Sequence, residues 1–333
     1  MRAVAITETH GLELVETPEP VPAEGEVLVD VVAAGVNRAD LMQTAGRYPP
    51  PPGASPLPGL EVSGHRRDTG EPVVALLAGG GYAEVVAVPQ VQVLPAPQGL
   101  SLTDAGGVVE VAATVVSNLV LEAGLPVRPE GAPGAAGDVD AQDARQQTVL
   151  VHGGTGGVGT FALQLAHAVG ARVLTTVGSD AAVGAALELG ADLAWNRRTT
   201  DVVAAVKDAG GADVILDVVG GPALDDNVRM LNELGRLVVI ATMGGTTGPL
   251  NLGVLMRKRA RIIATTLRSR APQDKGRILQ RTRELVWPLL AAGRIRVPVQ
   301  ARVPLAEAAQ AHAILAAGGH LGKVILEVSQ PAG

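Results

Sequence analysis

In the first ~112 residues the apolar positions come in short runs broken by proline and glycine, as in EVLVDVVAAG, EPVVALLA, YAEVVAV and VQVLPAP. Short runs with frequent breakers predict strands joined by turns, an irregular all-β unit. From ~148 the rhythm changes to strand, helix, strand. The predicted strands are Thr148–His152, Arg172–Val177, Asp192–Trp195, Asp213–Val218, Arg236–Ala241 and Arg261–Thr266. Helical stretches between them close on glycine, one at Gly190 and one at Gly235, the latter opened by Pro222. Strands alternating with helices predict an α/β, doubly wound parallel sheet of the Rossmann type. After ~270 come a longer helix, a strand in IRVPVQARV, a short helix and a last strand, KVILEV. This tail is able to close back onto the β unit, leaving the sheet domain as an insertion.

The stretch 126–147 interrupts that order. It holds no aromatic residue, Leu, Ile or Met, so it has little to bury and is expected to be an exposed loop. The expected organisation is a β domain over 1–112 and 270–333, with a sheet domain over 113–269 carrying that loop.

Composition narrows the function. With 47% apolar and 18% charged residues the 333-residue chain is globular in type and long enough for two cores. A net charge of −6 with no basic block opposes a phosphate backbone, and five aromatic residues are too few for base stacking, so nucleic acid is not an expected partner. The absence of cysteine removes disulfides, thiolate nucleophiles and zinc–cysteine sites. No apolar run approaches the ~18 residues of a membrane helix, and the amino terminus has no signal core, so a cytoplasmic protein without membrane contact is expected.

The strongest motif is TVLVHGGTGGVGTFALQLAHAVGA, in which Gly154-Thr155-Gly156-Gly157-Val158-Gly159 fits G-x-G-x-x-G between a strand and a helix. Glycine is needed there because the turn is tight and a pyrophosphate must approach the backbone at a helix N-terminus. A P-loop would need lysine at 160, where threonine stands. At the end of the second sheet strand an NAD site places a carboxylate. Here the chain runs Val177-Gly178-Ser179, small and neutral, which leaves room for a 2′-phosphate and favours NADPH. Asp180 opposes that reading, and Arg197 and Arg198 either supply the positive charge or are solvated loop residues.

Hydrolase and metalloprotease chemistry lack their motifs. His152 reads as a packed histidine beside the glycine turn, and His167 as a solvated one. The proline-dense segment 35–64 brings Asn37, Arg38, Asp40 and Tyr48 together, and a stiff loop of that kind suits a site wall or a plain surface loop. Tyr82, the other tyrosine, reads as packed.

Taken in order, VNRADLMQ, GRYPPPPGAS, LPGLEVSG, ALLAGGGYAEVVAVP, HGGTGGVGT, DVVGG, TTLRSR and GHLGKVILEV resemble the zinc-independent quinone oxidoreductases. These are zeta-crystallin-like members of the medium-chain dehydrogenase/reductase superfamily, and the likeness is greatest to their tumour-suppressor-inducible branch. The resemblance implies a GroES-like β domain plus a Rossmann domain, with substrate and nicotinamide in the cleft between them, and homodimers that sometimes pair into tetramers. Zinc-dependent relatives carry cysteine and histidine ligands where Asn37 and Leu60 stand, so the resemblance implies no metal. It places Asn37 and Tyr48 near the nicotinamide as the catalytic side chains and Thr114 near the carboxamide. Gly154 to Gly159 become the pyrophosphate turn, and Gly178, Ser179 and Arg197 the 2′-phosphate site. Met243, Gly244, Leu267, Arg268, Arg270 and Lys323 become further cofactor contacts.

Three departures stand out. The family's G-S-x-x-K lysine is Ala182 and a usual tyrosine is Arg197; the segment after Ser63 is shorter than usual; and 126–147 is inserted. The expected activity is metal-free, NADPH-dependent reduction of quinones, whose developing negative charge delocalises into a ring. A 2-enoyl thioester or enone reductase and a non-catalytic NADPH-binding protein are the alternatives.

Overall fold

The computed structural model describes residues 1–127 and 146–329, so most of the expected loop at 126–147 lies outside the described residues. The chain divides into two compact units, Met1–Ala113 with Leu267–Gly333, and Thr114–Thr266.

The first unit is built on β1 (Arg2–Ile6), β2 (Leu12–Glu16), β3 (Glu26–Val36), β4 (Glu61–Arg66), β5 (Pro72–Leu76), β6 (Val85–Pro89) and β7 (Val93–Pro95). Burial alternates along the first half of β3, the period-two signature of a strand with one face on a core, and then becomes continuous from Val31 to Val36. That second half is covered on both faces and carries the site described below. The turn between β4 and β5 is short, closed by Gly70 N–H to Arg66 O at 2.7 Å with Gly70 at φ 74°.

The second unit holds β8 (Thr148–His152), β9 (Arg172–Val177), β10 (Leu193–Asn196), β11 (Ala212–Asp217), β12 (Leu231–Val239) and β13 (Arg261–Ala264). All pair in parallel, in the order β10-β9-β8-β11-β12-β13. Counted from β8 this is the 3-2-1-4-5-6 order of a dinucleotide-binding sheet, with its reversal point beside β8. The central strands are apolar at their middle because they are covered on both faces: Val149, Leu150, Val214, Ile215 and Leu237 are all fully buried.

One predicted element is shorter than expected. The helix after Pro222 stops at Met230 instead of running to Gly235. Met230 and Leu231 are drawn into the sheet core, the Asn232 amide donates to Asp213 at 3.0 Å, and β12 begins at Leu231 with a register irregularity before Arg236. Core burial overrides the helical propensity of LNEL.

The tail returns as the sequence suggests. β14 (Val299–Pro304) pairs in parallel with β15 (Lys323–Glu327), and β15 pairs antiparallel with β3, so the sheet of the first unit is completed from the far end of the chain. No helix among the described residues is long and apolar enough to cross a membrane.

Candidate functional site

In the second unit the glycine turn joins β8 to the helix Gly157–Ala168. A Cβ on Gly154 would lie 2.2 Å from Thr175 Oγ1, and one on Gly159 would lie 2.1 Å from Gly153 O, so both positions exclude any side chain. Gly156 differs: a Cβ there would meet only Gly153 O, at 3.6 Å, so its glycine keeps backbone open for a ligand rather than relieving a clash. No side chain caps the helix. The amides of Gly157, Val158 and Gly159 are the first helical N–H groups, which have no partner within the helix. Open amides and the positive end of the helix make an anion-binding cradle.

The end of β9 completes that half. Arg197 lies over Gly178, with Nη1 placed 3.2 Å from where a Cβ would be, and it makes no ion pair among the described residues. Asp180, which opposed the phosphate reading, accepts from the Asn196 amide at 2.8 Å. Ser179 caps the following helix by position but makes no capping hydrogen bond. His152 is packed, its Nδ1 2.9 Å from Thr176 Oγ1 and its Nε2 2.7 Å from Asn227 Oδ1; burial pushes its pKa down, so it stays neutral. His167 is exposed. The helix carrying Thr114 widens at Val116–Glu122 into a π-helix, where Asn118 donates to Thr114 O at 2.8 Å and accepts from Thr265 Oγ1 at 2.6 Å. Met243 and Gly244 stand exposed after β12.

In the first unit the end of β3 delivers Asn37, 8% exposed, as the N-cap of the helix Arg38–Thr44. Its amide nitrogen donates to Glu61 Oε1 at 3.0 Å and weakly to Gly35 O at 3.4 Å. Its amide oxygen accepts from Lys323 Nζ at 2.6 Å. Lys323, at the start of β15, also reaches Glu61 Oε1 at 2.7 Å and Val36 O at 3.2 Å. A buried ammonium is thus ringed by three oxygens, and Glu61 is completed by the Glu110 amide at 2.9 Å. The resemblance implies a catalytic role for Asn37 and a cofactor contact for Lys323; the two side chains bond each other and Glu61. Sequence reasoning missed Glu61, although a fully buried glutamate in an apolar strand demands a cationic partner.

Tyr48 follows that helix and is half buried. Arg268 lies 5.1 Å from its ring centroid and donates to Tyr48 O at 3.0 Å, Gln43 Oε1 at 2.6 Å and Ala78 O at 2.8 Å. The Arg268 side chain therefore clamps the Tyr48 loop, and it is not free to reach a cofactor phosphate. Leu267 packs on the core of its own unit.

Beneath Asn37, Asp40 accepts from the amides of Asn37 and Gly59 and from the Tyr82 hydroxyl at 3.2 Å. Burial raises its pKa to about 6. Tyr82 is fully buried, as expected, and its oxygen lies 3.1 Å from His312 Nε2. Since its one proton goes to Asp40, Nε2 carries the histidine proton and donates. Burial lowers the His312 pKa to about 4 from its ordinary 6.5. A depressed histidine stabilises the fold above the ordinary value, and that stabilisation is lost as pH falls toward 4. His312→Gln removes this loss, so the stability advantage of the native chain over the variant should shrink between about pH 7 and about pH 5 in urea unfolding. A pH-independent difference would contradict the assignment.

Comparison with known proteins agrees with this layout. The alcohol dehydrogenase GroES-like domain family matches residues 23–98, and the zinc-binding dehydrogenase family matches residues 157–283. Quinone oxidoreductase of Mus musculus is 28% identical over 348 residues, covering 98% of this chain and 97% of the relative. Quinone oxidoreductase 1 of Escherichia coli is 28% identical over 332 residues, covering 95% of each. Among solved structures, the quinone oxidoreductase of Thermus thermophilus, described also in complex with NADPH, is 31% identical with a TM-score of 0.78, covering 98% of this chain and 100% of that one.

Proposed function

We propose the function from one premise: the chain belongs to the quinone oxidoreductase-like group of the medium-chain dehydrogenase/reductase family. It is an NADPH-dependent oxidoreductase that reduces quinones and similar electron-poor carbonyl compounds without a metal ion. The observation that carries the reading is the open, uncapped glycine turn at Gly156 together with the unpaired Arg197 over Gly178.

These residues fit a phosphorylated dinucleotide. Gly154 to Gly159 would hold the pyrophosphate, and Gly178, Ser179 and Arg197 the 2′-phosphate. Thr114, Met243, Gly244, Leu267 and Arg270 would supply the remaining cofactor contacts. When bound, the reduced nicotinamide supplies hydride. Tyr48 donates its hydroxyl proton in a hydrogen bond to the acceptor oxygen as charge builds there, and Arg268 fixes its loop. Asn37, held by Glu61 and Lys323, forms the polar wall beside it. In zinc-dependent relatives ligands stand where Asn37 and Leu60 stand, and here the Lys323 ammonium fills the space among the Asn37, Glu61 and Val36 oxygens. A divalent cation would meet that positive charge, and the chain has no cysteine thiolate to offer it. Quinones suit such a site because they need only hydrogen-bond assistance.

A homodimer, or a tetramer of two such pairs, follows from the same premise. The outer strand β13 is incompletely covered, and Leu252 and Met256 on the helix Leu252–Lys258 are 60% and 75% exposed. A cytoplasmic setting accords with a chain free of cysteine.

Fluorescence titration tests the cofactor assignment. NADPH should bind more tightly than NADH, and Arg197→Ala should narrow the gap by about 1 kcal/mol, the scale of an exposed charge-assisted contact. Equal affinities in the native chain would return Asp180 to the role of a ribose ligand.

A further inference from the structure

The helix Pro272–Ala291 carries Lys275 in its first turn, and this lysine is only 3% exposed. Its ammonium makes no hydrogen bond and no ion pair among the described residues. Burial, and after it the charge of Arg268, lowers its pKa to about 8. Among the described residues, Arg268, 5% exposed, hydrogen-bonds only to neutral oxygens, those of Ala78, Tyr48 and Gln43, and feels the Asp40 charge without touching it. Two buried cations therefore stand close together without a carboxylate between them, an arrangement that costs free energy unless an anion joins them.

Both line one cavity of about 490 Å³ contained within the first unit, a size that takes a small organic molecule. Arg270 adds a third positive charge to its wall. The one carboxylate on the wall, Glu26, accepts from the Ala23 amide at 2.9 Å. Leu57, Val86, Val88 and Pro272 supply apolar surface. An apolar chamber with a single unpartnered ammonium matches a monoanion with a hydrophobic body. A compact phosphate would leave those walls wet and would find too few donors.

We propose that this cavity is a binding site for a small organic carboxylate, held by the Lys275 ammonium and the field of Arg268 with its apolar body against the proline- and valine-lined wall. The cavity lies in the first unit and shares Arg270 with the proposed cofactor contacts, so its test is run without nucleotide.

Melting and calorimetry of the full chain with benzoate, benzamide and inorganic phosphate test it. Benzoate should raise the melting temperature and bind one per chain at about pH 7. Benzamide, its uncharged counterpart, and phosphate should do neither. Lys275→Met and Lys275→Gln should each weaken benzoate by about tenfold or more, without lowering the melting temperature, since each removes an unpaired buried charge. Benzoate affinity should also fall between about pH 7 and about pH 9.5 as Lys275 deprotonates, in the native chain and equally in the chain acetylated at its amino terminus, because the Met1 ammonium, bonded to Thr17 O at 2.8 Å, also lines the wall with Arg268, Arg270 and Glu26. This last arm decides if the variants fail to fold. No benzoate binding, pH-independent binding, equal binding by folded Lys275→Met, or binding of benzamide or phosphate as strong as benzoate would each overturn the proposal.

Discussion

Replacing Tyr48 by phenylalanine should lower kcat and kcat/KM together, by roughly 10- to 100-fold, the range expected when one well-placed donor to a developing oxyanion is removed. The ring remains, so the Arg268 guanidinium keeps its partner 5.1 Å away and the backbone bond to Tyr48 O is untouched. Only the hydroxyl is lost. The effect should be smaller with a strongly oxidising quinone than with an enone, because the quinone spreads its charge and leans less on the donor. Steady-state kinetics on both acceptors decide it. Unchanged constants on both would reduce Tyr48 to a wall residue.

The largest stability effect is expected at Lys323. Its ammonium is 3% exposed and Glu61 is fully buried, so Lys323→Met strands a carboxylate in the protein interior together with the Asn37 amide oxygen. Removing one partner of a buried pair costs about 3–5 kcal/mol, far above the 0–1 kcal/mol typical of surface pairs. Adding Glu61→Gln should recover part of that loss, since an amide needs no counter-charge. Denaturant unfolding of the single and double variants measures both. A single-variant loss below about 1 kcal/mol would mean that the pair holds little of the fold.

The sheet domain was legible in the sequence because most of its strands are rich in Val, Leu and Ile and several of its helices are followed by glycine. Gly190, at φ 98°, closes the helix Asp180–Glu188 as a residue that must adopt a left-handed conformation. The G-x-G-x-x-G spacing was legible for the same reason: two of its glycines are forced by contacts nearer than any Cβ tolerates. What stayed hidden depends on residues far apart along the chain. Lys323 meets Glu61 across 262 positions, and Arg268 meets Tyr48 across 220. No local pattern shows that a lysine opening a terminal strand will be buried, or that an arginine near a cofactor motif will turn back into its own domain. Lys275 was hidden differently. Its helix reads as an ordinary amphipathic segment, and only packing against the Gln90–Gln92 turn turns that lysine inward. The end of the helix at Met230 was misread because LNEL favours a helix locally while the sheet core claims Leu231.

We propose that NADPH is consumed by a quinone at a site that needs no metal. Following NADPH absorbance during turnover of an ortho-quinone, with the protein first dialysed against a strong chelator and then assayed with and without added zinc, tests it most directly. NADPH should be oxidised stoichiometrically at the same rate in all samples, and NADH much more slowly. No oxidation of NADPH, or oxidation that appears only after zinc is restored, would contradict it.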